Sequence, residues 1–308
     1  MPRISLKIDV DTDRGTAEGA VKLASALERL GVQATFLFSL GPDHTGRALR
    51  RVFRRGFLGK VRRTSVVEHY GVRTLLYGTL LPGPHIGRRR AGVMRSIAHS
   101  GFEVGVHCHD HVKWQDGVAA ANEFWTQSEI ELAVNAFGDV FGRAPLVHGA
   151  AGWQVNDYVP ELEQQLGFQY ASDTRGTHPF LPFSDGIVST VVQLPTTLPT
   201  LDELIGREDV PQDALAAYLD ALVQKSGADQ VFTLHAELEG GKYLDFFVKL
   251  VEGWRAAGYE LGDLATYRAS LNGGALPVHE IAMGRVAGRA GLLALQGVSV
   301  AGPALQRS

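Results

Sequence analysis

Short apolar runs alternate with amphipathic segments along most of this chain. The run ISLKIDV precedes TAEGAVKLASALERLG, whose apolar residues recur at helical spacing, and QATFLFSL follows it. Further apolar or β-branched runs predict strands at 145–148, 168–172, 186–194 and 230–235. Three glycines stand where left-handed residues end helices: Gly31, Gly142 and Gly167. The alternation predicts an α/β fold with a parallel sheet covered by helices, either an open doubly wound sheet or a (β/α) barrel.

Two regions interrupt this alternation of apolar runs and amphipathic segments. Residues 41–90 form an insertion with basic, aromatic and glycine residues, and residues 273–308 form a tail rich in glycine and alanine. We therefore expect one catalytic domain over residues 1–272, followed by a peripheral, partly disordered tail.

The insertion is basic and amphipathic. From Arg47 to Arg63 it has eight basic and no acidic residues, and its apolar residues at 49, 52, 53 and 57 would share one face of a helix. Such a helix suits an anionic membrane surface. The alternative is a solvated basic helix that covers the domain. Nucleic acid is not an expected partner, because no stacking platform or familiar binding motif accompanies the charges.

The composition limits which class of protein this is and in which cellular compartment we expect it. With 308 residues, 45% of them hydrophobic, the chain can bury a substantial core, and a formal net charge of −3 argues against a surface built for nucleic acid. The lone cysteine, Cys108, excludes an intrachain disulfide and fits a reducing compartment; we expect it to be packed rather than to bind a metal. The N-terminus lacks an apolar signal-peptide core, and no apolar run reaches about 18 residues. We expect a cytoplasmic protein whose membrane contact is peripheral.

Two clusters of chemically active residues follow predicted strands. Asp9 and Asp11 share one side of their strand, so their carboxylates converge. A turn that caps the next helix is the alternative, but two like charges together favour a bound cation. His107 and His111 are four residues apart and can bind one metal ion from a single helical turn, with His109 directed away.

One carboxylate with two histidines and an open position is the ligand set of catalytic metal sites, which accept zinc, cobalt, nickel, manganese or iron. Non-haem iron oxygenases share this set but usually have all-β jelly-roll folds, so the predicted alternation favours hydrolysis. His235, which ends a predicted strand, is either a core residue or part of the same site. His148 is similar, and Asp173 is placed to orient a histidine.

These motifs, in this order, resemble the polysaccharide deacetylase (NodB homology) family over about residues 4–268. The resemblance implies a distorted (β/α) barrel and a site made of a base, three ligands to one divalent metal ion and a general acid: Asp9; Asp11, His107 and His111; and His235. The aspartate that orients the acid would be Asp173.

One motif departs from the family pattern. Where many members have Arg-Pro-Pro-Tyr-Gly, this chain has His148-Gly-Ala-Ala-Gly-Trp153. We expect the arginine's role near the base to fall to His148. The other predicted contacts to the substrate or its oxyanion are Gly152, Trp153 and Glu237.

The phrases IDVDT, HCHDH, HGAAGWQ, SDTRG and LHAELEG are similar to one branch of this family. That branch implies metal-dependent removal of a formyl group from an undecaprenyl-phosphate-linked formamido sugar, at the inner face of the cytoplasmic membrane. The anionic membrane surface would bind through Arg47–Arg63. The alternatives are a deacetylase of another N-acylated amino sugar and a non-catalytic membrane-surface binding protein.

Overall fold

The structure, a computed structural model, describes residues 2–48, 71–184, 186–271 and 275–300. The basic segment Arg47–Arg63 lies outside the described residues except at its first two positions, so its amphipathic face and its membrane contact stay predictions. Within the described ranges, no helix combines the length and the apolar composition that a membrane span requires.

The described strands are β1 Arg3–Val10, β2 Thr35–Ser39, β3 Glu103–Cys108, β4 Val147–His148, β5 Tyr170–Ala171, β6 Leu181–Ser184, β7 Ile187–Val188, β8 Val192–Gln193, β9 Gln230–His235, β10 Glu260–Gly262, β11 Val278–Gly284 and β12 Leu293–Ser299. The described α-helices that bear on the site are α1 Val21–Leu30, α2 Ile86–His99, α3 His111–Gly117, α4 Glu123–Phe141, α5 Val159–Gln165, α6 Leu201–Leu204, α7 Leu215–Ser226, α8 Leu244–Ala256 and α9 Leu264–Ser270. A π-helical turn, Gly15–Ala20, leads into α1.

The main sheet is parallel and curves into a barrel. Its strands run in the order β9, β1, β2, β3, β4, β5 and β8, and β10 pairs with the first half of β1 on the same edge as β2. After β8 the chain returns to β9, where the Thr197 N–H donates to the Val231 carbonyl at 3.1 Å. The predicted distorted (β/α) barrel is therefore confirmed, and the open doubly wound sheet is not the fold.

The alternation along β1 explains how the barrel is built. Ile4, Leu6 and Ile8 are fully buried in the core between the sheet and the helices, where α1 and α8 also pack. The intervening residues Lys7 and Asp9 are buried on the other face, which is the interior of the barrel. The helix ends follow the expected chemistry: Gly31, Gly142 and Gly167 have φ angles of 63°, 68° and 81°.

A second, four-stranded sheet contains much of the tail. Its order is β12, β11, β6 and β7, and β11 and β12 form an antiparallel hairpin. The sequence pattern did not predict these two strands of the tail, and the division into a domain over 1–272 and a peripheral tail stays a prediction. The predicted strand at 186–194 also divides, because β7 joins the second sheet whereas β8 joins the main sheet.

Candidate metal centre and active site

The carboxyl ends of parallel strands bring the predicted residues to one end of the barrel. β1 and β9 pair in register, with Asp9 directly opposite His235, and the Ala236 N–H donates to the Asp9 carbonyl at 2.9 Å. β3 ends beside them at His107 and Cys108. Three separate motifs thus meet at one edge, as expected for a barrel whose active site lies at the strand ends.

Asp11, His107 and His111 form a candidate metal site. The Nε2 atoms of His107 and His111 lie 3.3 and 3.5 Å from the same Asp11 oxygen, Oδ1. Their ligand atoms all lie within 4.8 Å of one another. His107 is 2% exposed at its side chain but His111 is 21% exposed, so the site opens to solvent on the His111 side.

These spacings fit a bound ion. Ligands bonded at about 2.1 Å to one metal at tetrahedral angles stand about 3.4 Å apart. Oδ1 of Asp11 is buried and has no hydrogen-bond partner within the described residues, so a cation would satisfy it. Although burial acts to raise it, His111 and His107 hold the pKa of Asp11 far below its usual range. The carboxylate is therefore charged and available as a ligand.

The two histidines reach this arrangement from different elements. His107 is in β3, whereas His111 is the first residue of α3, which the Asp110 side chain caps by accepting from the Lys113 N–H at 3.1 Å. The predicted convergence is present, but the pair does not share one helical turn. The Nδ1–H of His107 donates to the Gly149 carbonyl at 2.6 Å, which leaves Nε2 free to bind a metal. Burial lowers the pKa of His111 and so favours its neutral, ligating form.

The residues between the two histidines point elsewhere. Cys108 is buried, its Sγ lies 3.2 Å from the Ser39 hydroxyl, and burial raises its thiol pKa well above the ordinary value. The His109 ring packs against His85, with centroids 5.7 Å apart. Both observations agree with the sequence expectation that neither residue is a ligand.

Asp9 faces a buried lysine that sequence analysis missed. Lys7 Nζ lies 3.5 Å from Asp9 Oδ2 and donates to the Ser172 carbonyl at 2.8 Å. The other oxygen, Asp9 Oδ1, is buried and has no hydrogen-bond partner among the described residues. Lys7 therefore supplies a cation beside Asp9, and the role near the base that was expected of His148 stays a prediction.

His148 belongs to a separate buried network with Glu163 and Asp173. Its Nδ1 lies 2.6 Å from Glu163 Oε1 and 3.2 Å from Asp173 Oδ1. Asp173 also accepts from the Ala150 N–H at 2.6 Å and from the Gln193 amide at 2.6 Å. Burial raises the pKa of Glu163 well above its ordinary value. The network fixes the loop that carries Ala150, and Asp173 is not the residue beside His235.

Asp202 occupies the place that the resemblance gave to Asp173. Its Oδ1 lies 3.5 Å from His235 Nδ1, which is buried and makes no hydrogen bond within the described part of the chain. Oδ1 also accepts from the Thr200 hydroxyl at 2.6 Å, and Oδ2 pairs with Arg289 at 3.1 Å. Although burial acts to raise it, Arg289 and His235 hold the pKa of Asp202 below its ordinary value. This carboxylate is therefore ionised beside His235.

Glu237 and Trp153 have supporting positions rather than open ones. One oxygen of Glu237 accepts from the Asp11 N–H at 3.1 Å, the Thr12 N–H at 2.9 Å and the Thr12 hydroxyl at 2.7 Å. Trp153 is 2% exposed, and its indole N–H donates to Thr196 at 3.2 Å. The structure thus places Glu237 under the loop that carries Asp11, and Trp153 inside the barrel, where its ring centroid is 6.1 Å from that of His235.

The loop before Trp153 has a strained backbone. Gly152 has a φ angle of 63°, and Trp153, which is not a glycine, has a φ angle of 51°. The N–H groups of Gly149 and Ala150 are bonded to Val106 and Asp173. Glycine adopts this conformation freely, but Trp153 does not, and such strain is concentrated at functional sites.

Proteins similar in sequence have a common description. The chain is 36% identical over 249 residues to a probable 4-deoxy-4-formamido-L-arabinose-phosphoundecaprenol deformylase of Shewanella sediminis, with 81% of this chain and 80% of that protein covered. A protein of Wigglesworthia glossinidia brevipalpis with the same description is 32% identical, over 74% of this chain and 80% of that protein. No protein-family model matches the chain.

A solved structure supports the fold independently. A presumed polysaccharide deacetylase from Mycobacterium smegmatis superposes with a TM-score of 0.59 over 87% of this chain and 90% of that chain. Sequence identity between them is 17%, so the likeness concerns the barrel architecture alone.

Proposed function

Because the chain belongs to the family of 4-deoxy-4-formamido-L-arabinose-phosphoundecaprenol deformylases, we propose that it hydrolyses the formamide of the undecaprenyl-phosphate-linked sugar. The products are formate and the 4-amino sugar lipid, which would serve lipid A modification and hence polymyxin resistance. The observation that carries the proposal is the convergence of a three-residue metal site, an adjacent carboxylate with one unpaired oxygen and a histidine on the neighbouring strand.

Asp11, His107 and His111 would hold one divalent ion, with zinc, cobalt, nickel or manganese as candidates. When bound, the ion would act as a Lewis acid on the formamide carbonyl and would increase the acidity of the attacking water. Asp9 does not bind the ion and has a different task, which is to act as the base. Its Oδ2 faces Lys7, and its unpaired Oδ1 is left to accept the proton of the water as the carbon–oxygen bond forms.

The developing oxyanion needs a hydrogen-bond donor, and the strained loop offers one. Since the N–H groups of Gly149 and Ala150 are already bonded, we assign this role to the N–H of Ala151 or Gly152. Gly152 thereby stays a candidate for the role predicted from sequence, whereas Glu237 and Trp153 become supports for the site.

His235 is the proposed general acid. It would protonate the sugar nitrogen as the carbon–nitrogen bond breaks, so that a neutral amine departs rather than an amide anion. Its Nδ1 faces Asp202, whose negative charge steadies the ring orientation and the imidazolium form that carries the proton. Asp202 therefore replaces Asp173 in the mechanism that the resemblance implied.

The lipid-linked substrate supports a place for the protein at the inner face of the cytoplasmic membrane. This part of the proposal depends on sequence, namely on the eight basic residues between Arg47 and Arg63. Retention of the protein by phosphatidylglycerol vesicles, reduced when those basic residues are replaced by glutamine, is the expected result. Equal retention of both proteins would contradict it.

The test of the reaction is formate release from undecaprenyl-phosphate-linked formamido-arabinose by purified protein. The protein is first stripped with a chelator and then resupplied with single divalent metals. We expect no formate from the stripped protein and restored release with at least one metal. Release of acetate from an N-acetylated amino sugar, without formate from the formamide, would favour a deacetylase. Bound metal with neither product would favour a non-catalytic binding protein.

A further inference from the structure

Strand β12 of the C-terminal hairpin is hydrogen-bonded to Arg175, which follows β5. The Arg175 N–H donates to the Ala294 carbonyl at 2.8 Å, and the Gln296 N–H donates to the Arg175 carbonyl at 2.7 Å. In the turn, Gly288 has a φ angle of 85°, and a Cβ there would lie 2.3 Å from the Glu203 carbonyl oxygen. The turn thus contacts the backbone of α6 closely enough to require glycine.

This contact places Arg289 next to Asp202, the carboxylate that faces His235. Its Nη2 lies 3.1 Å from Asp202 Oδ2, and its Nε donates to Glu203 Oε1 at 3.0 Å. Its guanidinium carbon lies 4.7 Å from the centroid of the Trp153 ring. One planar cation therefore touches both carboxylates of α6 and the aromatic ring that packs against His235.

We infer that Arg289 is a positioning residue for the proposed general acid, acting through Asp202. The inference rests on the proposed amide hydrolysis. It assigns the hairpin, which lies beyond the barrel, a part in the reaction.

The physical reason lies in the freedom that Asp202 would have without Arg289. The Asp202 side chain is 37% exposed, so packing alone does not hold it beside His235. Its neighbour Glu203 is fully buried and already pairs with Arg175. Without the second guanidinium, two adjacent carboxylates would share one cation, and like-charge repulsion would move the exposed one towards water. The partner of His235 Nδ1 would then be lost.

The first test compares an amide with an ester. In Arg289→Ala we expect kcat for formate release from the formamide to fall by about 30-fold or more, in the range of a misplaced general acid, with KM nearly unchanged. For 4-nitrophenyl formate the loss should be several times smaller, because nitrophenolate leaves without being protonated. Arg285→Ala, an exposed arginine in the same turn, is the matched control and should match the wild type for both substrates.

The second test asks whether the effect of replacing Arg289 depends on the presence of Asp202. If Arg289 acts through Asp202, then Asp202→Asn with Arg289→Ala should lose little more amide activity than Asp202→Asn alone, and Arg289→Lys should recover part of the loss. Metal content and thermal midpoint are measured for each variant. Equal losses with amide and ester, or unchanged amide turnover in Arg289→Ala, would overturn the inference. A wild-type protein that releases no formate would instead contradict the proposed substrate, and the amide-to-ester ratio would then be measured with the N-acetylated sugar.

Discussion

Lys7 and Asp9 form a buried ion pair inside the barrel, with Nζ and Oδ2 3.5 Å apart. They are two residues apart on β1 and therefore face the same side of the sheet. The ammonium group also lies 5.4 Å from the centroid of the Trp153 ring. A buried pair of this kind tolerates the loss of neither partner, because the remaining charge would be left uncompensated away from water. Lys7 thus holds the carboxylate of the proposed base in position.

Replacement of Lys7 by methionine tests this relationship. Lys7→Met keeps most of the side-chain volume but leaves the Asp9 carboxylate without its cation, so we expect a loss of about 3–5 kcal/mol in the free energy of unfolding. The rate of formate release should also decrease. Urea unfolding followed by circular dichroism measures the first effect, with Lys22→Met, an exposed lysine of α1, as the control. Superimposable unfolding curves for Lys7→Met and the wild type would refute the pairing.

Replacement by asparagine should reduce metal binding at Asp11 but only catalysis at Asp9. Asp11→Asn removes the charged ligand oxygen that both histidines face, so metal content should fall together with activity. Asp9→Asn keeps the ligand set but removes the base, so turnover should fall by about 10²–10⁴-fold while metal stays bound to the folded protein. Because this variant also leaves Lys7 without its partner, the assays are done under conditions in which urea unfolding shows the variant to be folded. Metal analysis of the dialysed proteins beside formate assays separates the two. If Asp9→Asn retained wild-type turnover, another residue would have to be the base.

The architecture could be predicted from the sequence because it depends on local periodicity. The apolar alternation of β1 and the left-handed glycines at 31, 142 and 167 are short-range signals, and the structure contains each of them. The second sheet carries no comparable signal. β7 has two residues, and β11 is stabilised by parallel pairing with β6, which is almost a hundred residues away in sequence. Such long-range pairing leaves no pattern in the local sequence, which explains why the strands of the tail were not predicted.

The same distinction separates the residues of the site that sequence analysis found from those that it missed. Asp11, His107 and His111 follow strands within short motifs, and chain geometry alone brings them together. Asp202 and Arg289 are 87 residues apart, and only tertiary contacts bring Asp202 to His235 and Arg289 to Asp202. Lys7 did leave a signal, since a charged residue between Leu6 and Ile8 in an apolar strand must be paired when buried.

Glu237 tests the difference between a substrate contact and a structural support. Because its carboxylate accepts from Asp11 and Thr12, Glu237→Ala should loosen the loop that carries the Asp11 ligand and weaken metal affinity by about 10–100-fold. KM measured at saturating metal should stay close to the wild-type value. Metal titration monitored by thermal shift measures this affinity. Glu18→Ala, on the exposed face of the same region, is the control. A large rise in KM at saturating metal would restore the substrate-contact role predicted from sequence.

Glu239 should give the protein a pH-dependent stability of defined sign. Burial raises the pKa of Glu239 from 4.5 to about 7, although the nearby His235 opposes this. Its Oε2 accepts from the His235 N–H at 2.9 Å, and Oε1 is buried without a partner in the described residues. Since the folded-state pKa is the higher one, the folded protein holds a proton that the unfolded chain has released between pH 4.5 and 7. The stabilisation is therefore complete below pH 4.5 and is lost as the pH rises through 7.

Glu239→Gln removes this titration while keeping the shape of the side chain. The free energy of unfolding of the wild type, relative to this variant, should decrease between pH 5 and pH 8 by at most about 3 kcal/mol, from about 1.4 kcal/mol for each unit of pKa shift. Urea unfolding at several pH values measures the difference, with Glu18→Gln as an exposed control whose difference from the wild type should stay flat. Parallel pH dependence of the wild type and Glu239→Gln would mean that Glu239 is ionised in the fold.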